Sequence, residues 1–182
     1  MPSRTLFGIP VSAGIAIGRA YYLNKSHFSG TARQAVSDAD VPLEMARLNR
    51  AFDDALHDLE RILSLVPEDL KEHSAIIESH LMMLRDHKFR KRALDHIATT
   101  KINAEWSLER AVGDVQEIFA SIADEYLRQR MQDVRLVAER VLGKLVGGAT
   151  GLKAIKHRAI LLAHDLSPAD TIELDVNKIM AF

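Results

Sequence analysis

The stretch LKEHSAIIESHLMMLRD, Leu70 to Asp86, decides how this chain is read, because as a helix it is apolar on two opposite sides. At a helical period Leu70, Ile77, Leu81 and Leu84 fall on one arc, and Ala75, Ser79, Met82 and Met83 fall on roughly the other. One arc can face a core; the second needs another cover. That cover is either a further helix of the same domain or another protein. Thioether side chains adapt to a partner's surface, and small residues let it come close.

Outward from this stretch the pattern stays helical. Met45, Leu48, Phe52, Ala55, Leu59, Ile62 and Val66 recur in steps of three and four with charges between them, which predicts a long amphipathic helix from Val41 that Pro67 stops or kinks. Asp86 to Thr100 reads as a separate helix with Phe89, Ala93 and Ile97 inward. Asn103 can cap the next, with Leu108, Ala111, Val115, Ile118 and Ile122 as its stripe. A last helix from Asp124 repeats the rhythm through Leu127, Met131, Val134, Ala138, Val141 and Leu145, and Gly143, Gly147, Gly148 and Gly151 end it in a hinge-like run. Long amphipathic helices joined by short links predict an antiparallel bundle.

The two ends of the chain read differently. Phe7 to Leu23, FGIPVSAGIAIGRAYYL, alternates glycines with short apolar pieces, a turn, strand and turn pattern with Ile15 and Ile17 at strand positions, and Asn24 to Asp40 reads as a polar connector. Ala159 to Ala163 has the length of a buried strand. After it, Ser167, Pro168 and Asp170 suit the cap, first position and first turn of a short helix reaching about Leu174, and Ile179 to Phe182 begins another strand. The expected class is therefore α+β, mainly α: a helical bundle inserted on two tethers between strand-bearing ends. Such tethers form a hinge.

Composition narrows the function. The 182 residues include no cysteine, which removes disulfides, thiolate nucleophiles and cysteine-bound zinc. A net charge of −1 gives no general reason for a nucleic-acid or anionic-lipid partner. No apolar run approaches a membrane span, and MPSRTLFGIP lacks the apolar core of a signal peptide, so a cytoplasmic protein is expected. His73, His80 and His87 repeat every seven residues, but two helical turns separate neighbours by roughly 10 Å, too far to share a metal. His164 ends a strand beside Asp165 without a recognisable nucleophile or base motif. The residues alone give a two-part protein with an interaction-competent bundle and no readable reaction.

Three blocks add more: GIPVSAGIAIG at Gly8 to Gly18; IIESHLMMLRD at Ile76 to Asp86 with DEYLRQRMQDVRLVAERVL at Asp124 to Leu142; and ILLAHDLSPADT at Ile160 to Thr171. Together, and in this order, they resemble the N-terminal half of enzyme I of the bacterial phosphoenolpyruvate-dependent sugar phosphotransferase system. The resemblance implies a phosphohistidine α/β domain with a helical insert, here divided as residues 1–24, 25–147 and 148–182. It implies an enzyme that moves a phosphoryl group from phosphoenolpyruvate onto a histidine and on to the small carrier HPr, which docks on the helices. The docking face it implies comprises Glu72, Ala75, His80, Met82, Met83, Phe89, Phe119, Leu127 and Arg130. Lys71 and Lys88 depart from it, standing where family members often carry glutamates, so steering toward a basic carrier is weakened.

The family's phosphorylated histidine lies in a Gly-Gly-x-x-Ser-His motif beyond the segment matching Lys178 to Phe182, and its phosphoenolpyruvate and magnesium sites, like its dimer interface, belong to a C-terminal domain. No catalytic residue, metal ligand or cofactor is thus expected in these 182 residues, and the chain alone is expected to be inactive, with an incomplete α/β part whose exposed strand edge can pair with another copy. The alternative is a non-enzymatic regulatory protein that keeps the scaffold.

Overall fold

A computed structural model describes residues 8–9, 11–23, 33–67, 74–120, 125–147, 152, 155–164 and 166–182, with backbone alone for 125–130. Among these residues there are six helices and one small sheet: β1 (Arg19–Leu23), α1 (Val41–Ser64), α2 (Ala75–Arg85), α3 (His87–Thr100), α4 (Ala104–Ala120), α5 (Glu125–Val146), β2 (Ala159–Ala163), α6 (Pro168–Ile172) and β3 (Ile179–Ala181).

The helical core forms because α1 carries an almost unbroken apolar stripe. Leu48, Phe52, Ala55, Leu59 and Ile62 are fully covered, and α2, α3 and α5 pack around them through Ile77, Leu81, Leu84, Ala93, Ile97, Val137, Ala138 and Val141. Phe89 of α3 meets Phe52 edge-on, with ring centroids 5.9 Å apart, and the Arg90 guanidinium lies 5.6 Å from the Phe52 ring while bonding Asn49 and Asp53. Towards its C-terminal end α4 leaves the core: Leu108 and Ala111 are buried, Val115 is half-buried and Ile118 is exposed.

Helix ends are satisfied by specific partners. The Asp86 carboxylate accepts from the Lys88 N–H and separates α2 from α3. At the start of α4 the Glu44 carboxylate of α1 accepts from the buried Ala104 N–H at 2.8 Å. Asn103, the expected cap, accepts there from the Gln34 N–H and donates to Glu105, and Arg47 bridges Glu44 and Glu105. The segment before α1 is not merely a connector, since Val36 and Gln34 exchange backbone hydrogen bonds with Lys101 and Asn103. Gly143, expected in the hinge, lies inside α5, which runs to Val146; Gly147, at φ +69°, adopts the left-handed conformation that ends it.

The sheet is parallel, in the order β1-β2-β3, and β1 pairs with β2 from Arg19↔Ala159 to Leu23↔Ala163. Its own core gathers Leu23, Ile155, Ala159 and Leu161. At Gly18, just before β1, a Cβ would stand 3.0 Å from Met180 Sδ, so a side chain there would push on β3. Ile15 and Ile17, expected in a strand, lie before β1 and are more than 80% exposed, because the apolar alternation there meets no pairing neighbour among the described residues. After β2, Ser167 and Asp170 form a reciprocal capping box with Pro168 at the first helical position, as the sequence predicts.

α6 and Glu173 after it meet α1 and α5 through ion pairs. Asp58 of α1 receives Lys144 Nζ at 2.9 Å and an Arg140 Nη at 3.2 Å from α5. Arg61 holds both Asp58, at 3.2 Å, and Glu173 beside α6, at 2.6 Å. Arg140 also approaches Asp170 and Glu173, each at 3.9 Å.

Candidate docking face

The two-sided composition of α2 resolves into one covered side and one open side. Ile77, Leu81 and Leu84 are buried against α1 and its neighbours. On the other side Ala75 is exposed, Met82 is 65% exposed, and Ser79, half-buried, turns its hydroxyl back to the Ala75 carbonyl at 2.8 Å. Met83 stands between the two sides: it is half-buried and packs against the core. Ile76, 46% exposed, widens the open apolar strip. Periodicity overlooks it because isoleucine beside a core stripe reads as core.

The remaining residues of the expected face fall unevenly. Phe89 is half-buried, its ring engaged by Phe52. Phe119 is half-buried near the end of α4. Leu127 and Arg130 lie on the first turns of α5, with their side chains outside the described residues, and Glu72 lies wholly outside them. His80 is corrected in one respect: it is buried, only 4% exposed, one helical turn from Ile77 and Leu84 and turned inward like them, so no partner reaches its ring.

The surroundings of His80 set its charge. Its Nε2 is enclosed without a hydrogen-bond partner among the described residues. The Asp133 carboxylate stands 3.6 Å away, too far for a hydrogen bond but close enough to favour the imidazolium. Burial is the larger influence and holds the imidazole below its ordinary 6.5; Asp133 and, more weakly, Asp170 oppose the shift, and Arg140 adds to it. A neutral ring packed between α2 and α5 is a structural group, which a seven-residue histidine spacing does not reveal. His164 is exposed at the end of β2. Among the described residues no group of three His, Asp or Glu side chains is placed to hold a metal ion. No helix among them is long and apolar enough to cross a membrane.

What this arrangement offers is contact: exposed, adaptable apolar side chains on a helix whose other side is already satisfied. Comparison with known proteins gives the family. Residues 7–130 match the family described as "PEP-utilising enzyme, N-terminal". The chain is similar to the phosphoenolpyruvate-protein phosphotransferases of Bacillus sp. (strain S), 33% identical over 98% of this chain and 31% of the relative, and of Haemophilus influenzae, 31% identical over 95% and 30%. It thus spans about a third of the length of these relatives. Among solved structures it is similar to an NMR solution structure of Enzyme I, with TM-score 0.71 and 25% identity over 93% of this chain and 68% of that one. It is equally similar to the N-terminal domain of Enzyme 1 - Nitrogen, with TM-score 0.71 and 25% identity over 94% and 70%. Family match, full-length relatives and mainly helical fold agree: this chain belongs to the phosphoenolpyruvate-utilising enzymes, of which it represents the N-terminal region.

Proposed function

We propose that the chain is the N-terminal part of a phosphoenolpyruvate-protein phosphotransferase and that its helices, within residues 25–147, dock an HPr-like phosphocarrier. The observation that carries this reading is the open side of α2, where Met82, Ile76 and Ala75 stand free while Ile77, Leu81 and Leu84 already fill the core. Interfaces of this kind centre on adaptable apolar anchors that lose their water on contact. The sheet supports the rest of the reading: β1 and β2 are neighbours although all five long helices lie between them in sequence, as for an insert carried by an α/β part. Within residues 1–182 the motif Gly-Gly-x-x-Ser-His does not occur, so on this reading these residues serve carrier docking and not the phosphorylation itself.

Met82 is the cleaner probe of the face, because Met83 also touches the core. Met82→Asp places an unpaired charge at the contact and is expected to weaken carrier binding by about 2–4 kcal/mol, with helix content unchanged. Titration calorimetry against an HPr-like carrier measures the loss, and circular dichroism checks the fold. Equal affinity for variant and parent would remove α2 from the interface. Incubation of the 182-residue chain with phosphoenolpyruvate and magnesium is expected to leave its intact mass unchanged; a gain of one phosphoryl group would show that an acceptor lies within it.

A further inference from the structure

The face on α2 continues into a segment of unlike charge. From Ala75 to Arg92 the chain holds five cations, Arg85, Lys88, Arg90, Lys91 and Arg92, against two carboxylates, Glu78 and Asp86. With histidines neutral the segment carries +3, whereas the whole chain carries −1, so the remainder carries −4. Three of the five cations are committed. Arg85 pairs with Glu60 at 2.8 Å, Arg90 with Asp53 at 2.7 Å, and Arg92 lies 3.9 Å from Asp114. The ammonium groups of Lys88 and Lys91, both exposed, have no carboxylate partner among the described residues.

Lys88, in the first turn of α3, gains nothing from the helix dipole. The first turn of α3 holds no acidic side chain, and positive charge near a helix N-terminus opposes the dipole. The nearest carboxylate in sequence, Asp86, is occupied in capping the Lys88 N–H.

Building on the docking reading above, we infer that the exposed Met82 and Ile76 of α2, together with the exposed Lys88 and Lys91 of α3, which follows α2 after a single residue, take a carrier protein that sets an acidic patch against the α2–α3 junction. A protein fits better than a nucleic acid or an anionic membrane because Met82 and Ile76 are aliphatic and the ring between the two lysines, that of Phe89, is half-buried and engaged by Phe52. Stacked bases need rings, and a membrane surface needs a longer apolar face.

The test uses the whole 182-residue chain and three purified HPr-like carriers whose faces around the phospho-accepting histidine are basic, neutral and acidic. A DNA duplex and phosphatidylserine vesicles serve as counter-probes. The acidic carrier is expected to bind most tightly and to lose affinity steeply as NaCl rises from about 50 to 300 mM. K88E/K91E is expected to weaken the acidic carrier about tenfold or more and to reverse the ranking, while Met82→Asp weakens all three. If the basic carrier binds tightest, or the ranking survives K88E/K91E, the charge assignment is wrong and the docking reading stands. If none of the carriers binds, both fail. Binding of DNA or vesicles that is lost in K88E/K91E, with no charge preference among carriers, overturns the assignment in favour of a polyanion site.

Discussion

Replacing Asp58 by Asn tests how firmly α6 is held to the helices. The carboxylate is 13% exposed and accepts from Lys144 at 2.9 Å and from Arg140 and Arg61 at 3.2 Å each, so it touches all three cations of the cluster. Asparagine keeps the shape but withdraws the charge. At an effective dielectric of about 20, each contact near 3 Å is worth about 5 kcal/mol of gross attraction, most of it offset by the desolvation the groups undergo on folding. Glu173 and Asp170 remain and hold Arg61 and Arg140, leaving Lys144 the least compensated. A net loss of about 2–3 kcal/mol follows, in the range for charge-assisted hydrogen bonds, with a fall in Tm of about 4–12 °C for a chain of this size. Urea denaturation of D58N and K144A, singly and together, supplies the test, because contacting residues should show a coupling of about 1 kcal/mol or more. A destabilisation under about 0.5 kcal/mol with additive double-variant behaviour would mean that the cluster is a solvated surface network, and the reasoning would fail.

Two further outcomes follow from other sites. His80 is held below its ordinary 6.5, so its neutral form belongs to the fold and its protonated form to the unfolded chain. Its contribution is complete above about 6.5 and is lost as pH falls through the lower folded value. His80→Leu should therefore flatten the acid limb of the stability curve by up to about 1.4 kcal/mol per pH unit, read from urea midpoints between about pH 7.5 and 5; an unchanged slope would show that the ring protonates freely in the fold. Ser167→Ala removes half of the capping box on α6 and should cost about 1 kcal/mol, seen as faster amide exchange at Asp170 and Thr171; unaltered exchange would mean that packing rather than the cap holds the short helix.

The helices were legible because burial imposes a period on the chain. The steps of three and four in Leu48, Phe52, Ala55, Leu59 and Ile62 leave little alternative, and the same logic separates Ile77, Leu81 and Leu84 from the exposed Met82. Local chemistry likewise announces itself at Ser167-Pro168-Ala169-Asp170, where cap, first position and first turn are satisfied by neighbours in sequence. Illegible features depend on distant partners. Ile15 and Ile17 alternate as strand residues do, but a strand needs a neighbour and theirs begins only at Arg19. His80 entered the expected face through the family resemblance alone; its spacing from Ile77 and Leu84 points inward, and what the sequence hides is Asp133, 53 positions later, beside it. The Asp58 cluster joins residues from α1, α5 and the end of α6, and no spacing rule could have assembled it.

The register of β1 on β2 sets a schedule for synthesis. Arg19 pairs with Ala159, a residue 140 positions further on, so β1 leaves the ribosome long before its only described strand neighbour exists. At about 5–20 residues per second the wait is about 7–28 s, during which the helices, whose contacts are more local, can already assemble. The N-terminal strand and the exposed Ile9, Val11, Ile15 and Ile17 before it are the part of the nascent chain that a holdase would find uncovered in that interval.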